Sequence, residues 1–429
     1  MKIRTRIIPA LAATMLAAAA SAQETTFSVS AGATHSDNVG RTAANEQSDT
    51  IAEAGMQLGW AHDGRLDADV TVNARYLSYL DDTFDDELVG GLNGRLVYAF
   101  LPDRFTWTVE DDFGQSFIDP RDVETPANRQ NLNVFSTGPT LILPLGSRTQ
   151  VSVSGRWSDV NYEESELDSE RLLGMVALSR AMSDTSSLSL NLSSQRVEFD
   201  ASPPNSDYDL HSAWLRYQVR GSRTTIEVSG GMTSLHDFGE RSDGPLFDLT
   251  LTREVGARSS LFVNIGTRFY DAADSFVRDR GFQDILTGNE DAVPARDPFQ
   301  QDYANLSWTI EGARSTLELS SDWRDEEREV DATFDRESIG VGLELSRRIG
   351  PRTTASVFGR HTSEDFSVSG VDFDEWSAGA GLDWSLSATV ALGLRAEHAE
   401  GSGDTSAGTG TRDYDENRMT LRFTYSPRN

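Results

Sequence analysis

The stretch Leu306–Trp323, LSWTIEGARSTLELSSDW, decides the fold. Leu306, Trp308 and Ile310 alternate with polar residues before GARST; Leu317, Leu319 and Trp323 resume an alternation after it. A period of two means a strand, and one apolar face opposite one polar face means a sheet between two different surroundings. Two such runs around a few small polar residues make a hairpin, with glycine expected to supply the backbone freedom of a tight reversal.

The same small-residue, arginine, hydroxyl pattern occurs as GSRTQ at 146, GSRTT at 221, GARSS at 256 and GPRTT at 350. Each is flanked by alternation: Val151, Val153 and Trp157 follow the first, and Leu261, Val263, Ile265 and Phe269 follow the third. HDGR at 62, LPDR at 101, MSDTS at 182 and LSAT at 386 do the same with other letters. Between these short turns lie longer polar, acidic connections, such as SDNVGRTAANEQSD and DPRDVETPANRQ. Short and long connections alternate along the chain. Reading strands between them gives twenty, with eighteen as the nearest rival, each of about 11 to 16 residues. That is longer than the ~5–6 residues usual in soluble sheets. Long antiparallel strands of even number, with short turns at one end and long loops at the other, predict an all-β transmembrane up-and-down barrel.

The bulk properties agree. No segment after the amino terminus approaches the 18 or more apolar residues of a membrane helix. Lys2, Arg4 and Arg6, the apolar run Ile7–Ala20 and Ala20-Ser21-Ala22 read as a secretory signal peptide over 1–22, with 23–429 forming one barrel domain. There is no cysteine, so disulfides do not hold the fold. The net charge is −30, and −33 without the three signal-peptide cations. Such acidity argues against a nucleic-acid partner, because phosphate repels it. The expected partners are outer-membrane lipid, the barrel assembly machinery during insertion and, conditionally, a surface polymer with its export machinery.

On this reading Trp60, Trp107, Trp157, Trp308, Trp323 and Trp384 lie near strand ends on the lipid face, where aromatic girdles form. The other face carries the pore-lining candidates Arg75, Glu110, Arg156, Arg216, Glu227, Arg268, Asp322, Arg324, Glu344, Arg395 and Arg422. Charges of both signs are costly against lipid and natural in a wet interior. They are open to two readings: a path for a polar solute or polymer, or ion pairs that stiffen a filled barrel. The longest connection, 272–299, is expected either to fold inward as a constriction or to stay exposed. DDTFDDE, Asp81–Glu87, lacks the spacing of a calcium loop and reads as a solvated acidic loop. The histidines, at 35, 62, 211, 236, 361 and 398, form no HExxH, and no GxSxG is present, so neither catalysis nor a cofactor or metal is expected.

The first strand and loop, FSVSAGATHSDNVGR with its Asp37-Asn38-Val39 step, and the segment from Asn128 to Arg171 resemble a family of outer-membrane barrels. That family is associated with exopolysaccharide clusters and the exosortase (PEP-CTERM) system and lies close to β-barrel porins. The resemblance implies an outer-membrane component that exports or assembles surface polysaccharide. It brings no catalytic residues with it. The alternatives are a general or solute-specific diffusion porin and a non-conducting adhesin or structural barrel. The last strand, Met419, Leu421, Phe423 and Tyr425 on one face, resembles a barrel-insertion signal, although SPRN follows where the usual signal ends on Phe.

Overall fold

The computed structural model describes residues 24–200, 207–237, 240–280, 298–328, 332–366, 368–404 and 412–427. The expected signal peptide, and most of the 272–299 connection, lie outside the described residues. Twenty strands follow one another: β1 Glu24–Ser36, β2 Asp49–His62, β3 Leu66–Tyr79, β4 Glu87–Leu101, β5 Phe105–Phe117, β6 Arg129–Pro144 and β7 Thr149–Tyr162. Then come β8 Ser169–Ser183, β9 Ser186–Phe199, β10 Tyr208–Arg220, β11 Thr224–Asp237, β12 Glu240–Gly256, β13 Ser259–Tyr270 and β14 Phe299–Glu311. The last are β15 Ser315–Arg328, β16 Arg336–Arg348, β17 Thr353–Phe366, β18 Val371–Ser385, β19 Val390–Gly403 and β20 Tyr414–Tyr425. Each pairs antiparallel with its neighbours in sequence, and β1 pairs with β20 from Val29↔Tyr425 to Ser36↔Arg418. The sheet is thus closed, with no edge left open. Twenty strands ~4.8 Å apart, tilted ~40°, enclose a ring on the order of 40 Å across if round.

The repeated turns start the ladder to the next strand. Gly221, Gly312 and Gly350 each donate a backbone N–H to the carbonyl three residues on, at 2.7, 2.6 and 3.2 Å. The carbonyl of each motif arginine, Arg148, Arg223, Arg258, Arg314 and Arg352, accepts from the neighbouring strand at 2.7–2.8 Å. None of the motif glycines has a positive φ, so the expectation of unusual backbone freedom is corrected. Closeness explains Gly312 better: a Cβ there would lie 3.1 Å from the Ser315 carbonyl.

The apolar residues face outward. On β18 Trp376 and Trp384, 60% and 50% exposed, stand eight residues apart with Ala378, Ala380 and Leu382 between them. Eight residues of tilted strand rise ~21 Å, close to the ~25 Å apolar band of such barrels. Trp107, Trp157 and Trp308 are also exposed on the outer face. Trp323 shares that face and donates its indole N–H to Glu337 at 3.0 Å. Trp60 differs: it is buried in a cluster with Ala68 and Val70. No helix among the described residues is long and apolar enough to cross a membrane, which has no bearing on crossing by strands.

Candidate functional site: a charged lumen with an inward helix

The strand register puts the pore-lining candidates on the face of the sheet opposite the exposed apolar residues. Most then find partners along the wall. Glu110 accepts from Arg95 at 3.0 Å, and Arg216 pairs with Glu227 at 3.1 Å, each across one strand boundary. Arg395 meets Glu397 at 3.3 Å and lies 3.8 Å from the centre of the Phe358 ring. Arg156 uses hydroxyl and carbonyl groups instead, reaching Thr108 at 3.1 Å and Pro139 O at 3.1 Å. Arg268 lies over Tyr270. Arg324 is buried, Glu344 stands in register with Phe358, and Arg75 with Gly55.

Two of the candidates, Arg422 and Asp322, pair over a whole strand. Arg422 on β20 meets Glu53 on β2 at 2.7 Å, across β1. Gly32 makes the room, since a Cβ there would lie 2.7 Å from Glu53 Oε1. Asp322 on β15 meets Arg360 on β17 at 3.2 Å, across β16 at Gly340, where a Cβ would sit 2.5 Å from Asp322 Oδ1. Alternation puts these groups on one face; only the three-dimensional register shows who pairs with whom.

The long connection after β13 begins with an inward element. Helix α1, Ala272–Arg280, packs Ala273 and Phe276 on Leu132, Val134, Val160 and Tyr162 of β6 and β7. Asp271 sets its start: its carboxylate accepts the Asp274 backbone N–H at 2.9 Å, which caps the first turn. The same carboxylate takes Arg171 Nη2 at 2.8 Å and the Tyr208 hydroxyl, while Arg171 Nη1 reaches Asp274 at 3.1 Å. Burial opposes ionisation of Asp271, but Arg171 and these hydrogen bonds override it and hold the carboxyl below its usual range. Asp274 goes the other way: burial, with Asp271 beside it, pushes it up to about 6. Of the two expectations for the long connection, its first residues, on α1, follow the inward one. Beside α1 lies a cavity of about 670 Å³, lined by Arg95, Glu110, Trp214, Arg216, Arg268 and Asp274 among others.

The connection between β5 and β6 also turns in. Arg121 lies 4.3 Å from the centre of the Phe334 ring, on the connection between β15 and β16, half the ring away. Arg412 donates to the Asp122 carbonyl at 3.2 Å. Arg41, from the β1–β2 connection, has a positive φ of 48° and joins Glu124 and Glu416, both at 3.2 Å. It also lies 5.1 Å from the centre of the Tyr414 ring. A residue held in the left-handed region by buried charge contacts is locked rather than loose. In the acidic loop Asp81–Glu87, Asp86 accepts from Tyr76, while Asp81 and Thr83 donate to Asp49. No group of three metal-ligating side chains exists among the described residues.

No family model matches the chain. No curated protein matches it either. Solved structures do align over most of its length. The FrpB iron transporter from Neisseria meningitidis aligns at 8% identity and a TM-score of 0.47, covering 95% of this chain and 82% of that one. The siderophore receptor PirA from Pseudomonas aeruginosa aligns at 10% identity and 0.45, covering 94% and 80%. OccK2 (OpdF) from Pseudomonas aeruginosa aligns at 12% identity and 0.40, covering 94% and 98%. At these scores the likeness carries no argument about this chain.

Proposed function

We propose that this chain is an outer-membrane barrel forming a channel that rests in a restricted state. The short turns face the periplasm and the long connections face outside. The observation that carries the proposal is the pairing of a charged inner wall with α1 and the β5–β6 connection folded into the same lumen. A capped, ion-paired helix against the inner wall narrows the lumen. A sheet with a charged inner face and an apolar outer face suits a membrane.

The cargo reading rests on the sequence resemblance of Phe27–Arg41 and 128–171, which favours export or assembly of surface exopolysaccharide. A gated route suits a polymer that crosses only while it is being made. A solute-specific porin is the second reading, favoured by the cavity beside α1. Deletion in the source bacterium separates them: loss of surface polymer with normal small-solute uptake supports export, and the reverse supports the porin.

A further inference from the structure

The cavity beside α1 combines a row of hydroxyls with one bare aromatic surface. Ser193, Ser212 and Thr233 stand in register across β9, β10 and β11, and all three border it. Trp214 follows Ser212 on the same face of β10 and borders it too. Its neighbour Leu215 is exposed on the outer face, so Trp214 points the opposite way from Trp107, Trp157 and Trp308. Gly231 lets it lie against β11: a Cβ there would sit 2.5 Å from Trp214 Cβ. The indole nitrogen is buried and makes no hydrogen bond among the described residues, while the residue as a whole is only half-buried. What Trp214 presents to the cavity is therefore ring carbon.

Three arginines and three carboxylates border the cavity, so its formal charges cancel. Arg95 pairs with Glu110 at 3.0 Å, and Arg216 with Glu227 at 3.1 Å. Asp274 meets Arg171 at 3.1 Å, Asp112 accepts from Asn93 at 2.7 Å, and Arg268 lies over the Tyr270 ring. An ionised ligand would have to break one of these pairs and strand the charge left behind. A hydroxyl asks for no such exchange. Arg216 uses Nε for Glu227 and Ser229, and a guanidinium has five donors, so its Nη groups remain for a neutral partner.

We propose that this cavity binds a neutral saccharide, one sugar ring lying on Trp214 with its hydroxyls toward Ser212, Thr233 and Arg216. A pyranose has an apolar C–H face and a hydroxylated edge, and the wall offers the complement of each: aromatic carbon beside groups that both donate and accept, with no net charge. The volume, about 670 Å³, lies within the ~300–1,000 Å³ of small-molecule sites. The proposal rests on the reading of the lumen as a channel and names what that lumen holds; its test keeps the two apart.

The full-length barrel, folded in deuterated detergent micelles, is titrated with maltotriose, cellotriose and mannotriose, and separately with galacturonate and lysine. Saturation-transfer NMR reads which ligand protons touch the protein and how tightly. The expected result is transfer to the ring C–H protons of at least one neutral trisaccharide, at higher affinity than galacturonate or lysine. Trp214→Ala weakens that affinity about ten-fold, the effect of losing roughly 55 Å² of apolar contact. Trp214→Phe restores most of it, and Trp376→Ala, on the outer face, changes nothing; heat modifiability shows that each variant is folded. No transfer to any of the three neutral sugars, tighter binding of galacturonate or lysine, or unchanged affinity in folded W214A overturns the proposal. The channel reading fails on a different readout: a barrel that inserts into planar bilayers and passes no current, wild type or R171M, contradicts the channel whatever the micelle titrations show.

Discussion

Replacing Arg171 with Met should release α1 from the wall. Arg171 is 7% exposed and is the cation that balances Asp271, itself 2% exposed. Breaking one partner of a buried pair costs about 3–5 kcal/mol, because the other charge is stranded. Asp271 has one escape, which is to take up a proton. Moving a carboxyl from its ordinary ~3.9 to neutrality at pH 7 costs about 4 kcal/mol, which sets the ceiling. The loss is therefore about 3–4 kcal/mol, and the undocked population rises on the order of 10²- to 10³-fold. The chain has no cysteine, so a single Ala273→Cys gives a clean reporter. Ala273 is buried against the wall, and its thiol should react with a maleimide only from the undocked helix. In that regime the labelling rate follows the open population. R171M should accelerate labelling by that factor while the barrel stays heat-modifiable. R171M/D271N should recover part of the protection, because no bare charge remains. Equal labelling of A273C with and without R171M would refute the reasoning.

Docking of α1 also depends on pH, through two groups of opposite sign. Asp274, raised to about 6 in the docked state, favours docking at low pH and loses that contribution as pH rises from ~4 through about 6. Asp271, held low, favours docking above ~4 and loses it in stronger acid. A273C labelling, divided at each pH by that of a free thiol because the thiolate is the reacting form, should therefore be slowest near pH ~4–5 and faster at pH ~7.5, by a few-fold only, since 37% of the Asp274 side chain is exposed; D274N should flatten that normalised rise. Arg121→Ala removes the contact with Phe334 across the mouth, worth about 1–2 kcal/mol at most, and should raise open-channel probability without affecting insertion. Gly32→Val should be far more harmful than its size suggests, because it strikes Glu53 and the Leu421 carbonyl and breaks the bridge between β20 and β2; loss of the heat-resistant band on gels would show it. Gln at all five motif arginines should leave insertion unchanged if only their carbonyls matter, and reduced insertion would reveal a side-chain role at the headgroups.

Much of the barrel was legible because strand alternation is a local signal. A strand such as β16 is hard to mistake when Ile339, Val341, Leu343 and Leu345 alternate with glycine, glutamate and serine along it. The face that the charged candidates share was legible for the same reason. Glu53, Arg95 and Arg360 follow the same alternation and could have been added to it. Pairing was not legible, because Arg422 and Glu53 are 369 residues apart and meet only when the ring closes. The inward turn of α1 was not legible either. Asp271 is an ordinary aspartate in an acidic stretch until the register of β8 and β10 brings Arg171 and Tyr208 to it. Arg41 is similar: its acidic partners come from a separate connection and the last strand. The role expected of glycine in the repeated turns failed because none of the five has a positive φ, and a close approach accounts for Gly221 and Gly312 only.

The most direct test of a restricted lumen is single-channel conductance of the purified, heat-modifiable barrel in a planar bilayer, wild type beside R171M. Insertion with small, infrequent wild-type openings is predicted, and larger, longer ones once α1 is released. A wide, steady wild-type conductance that R171M does not change would contradict a restricted lumen.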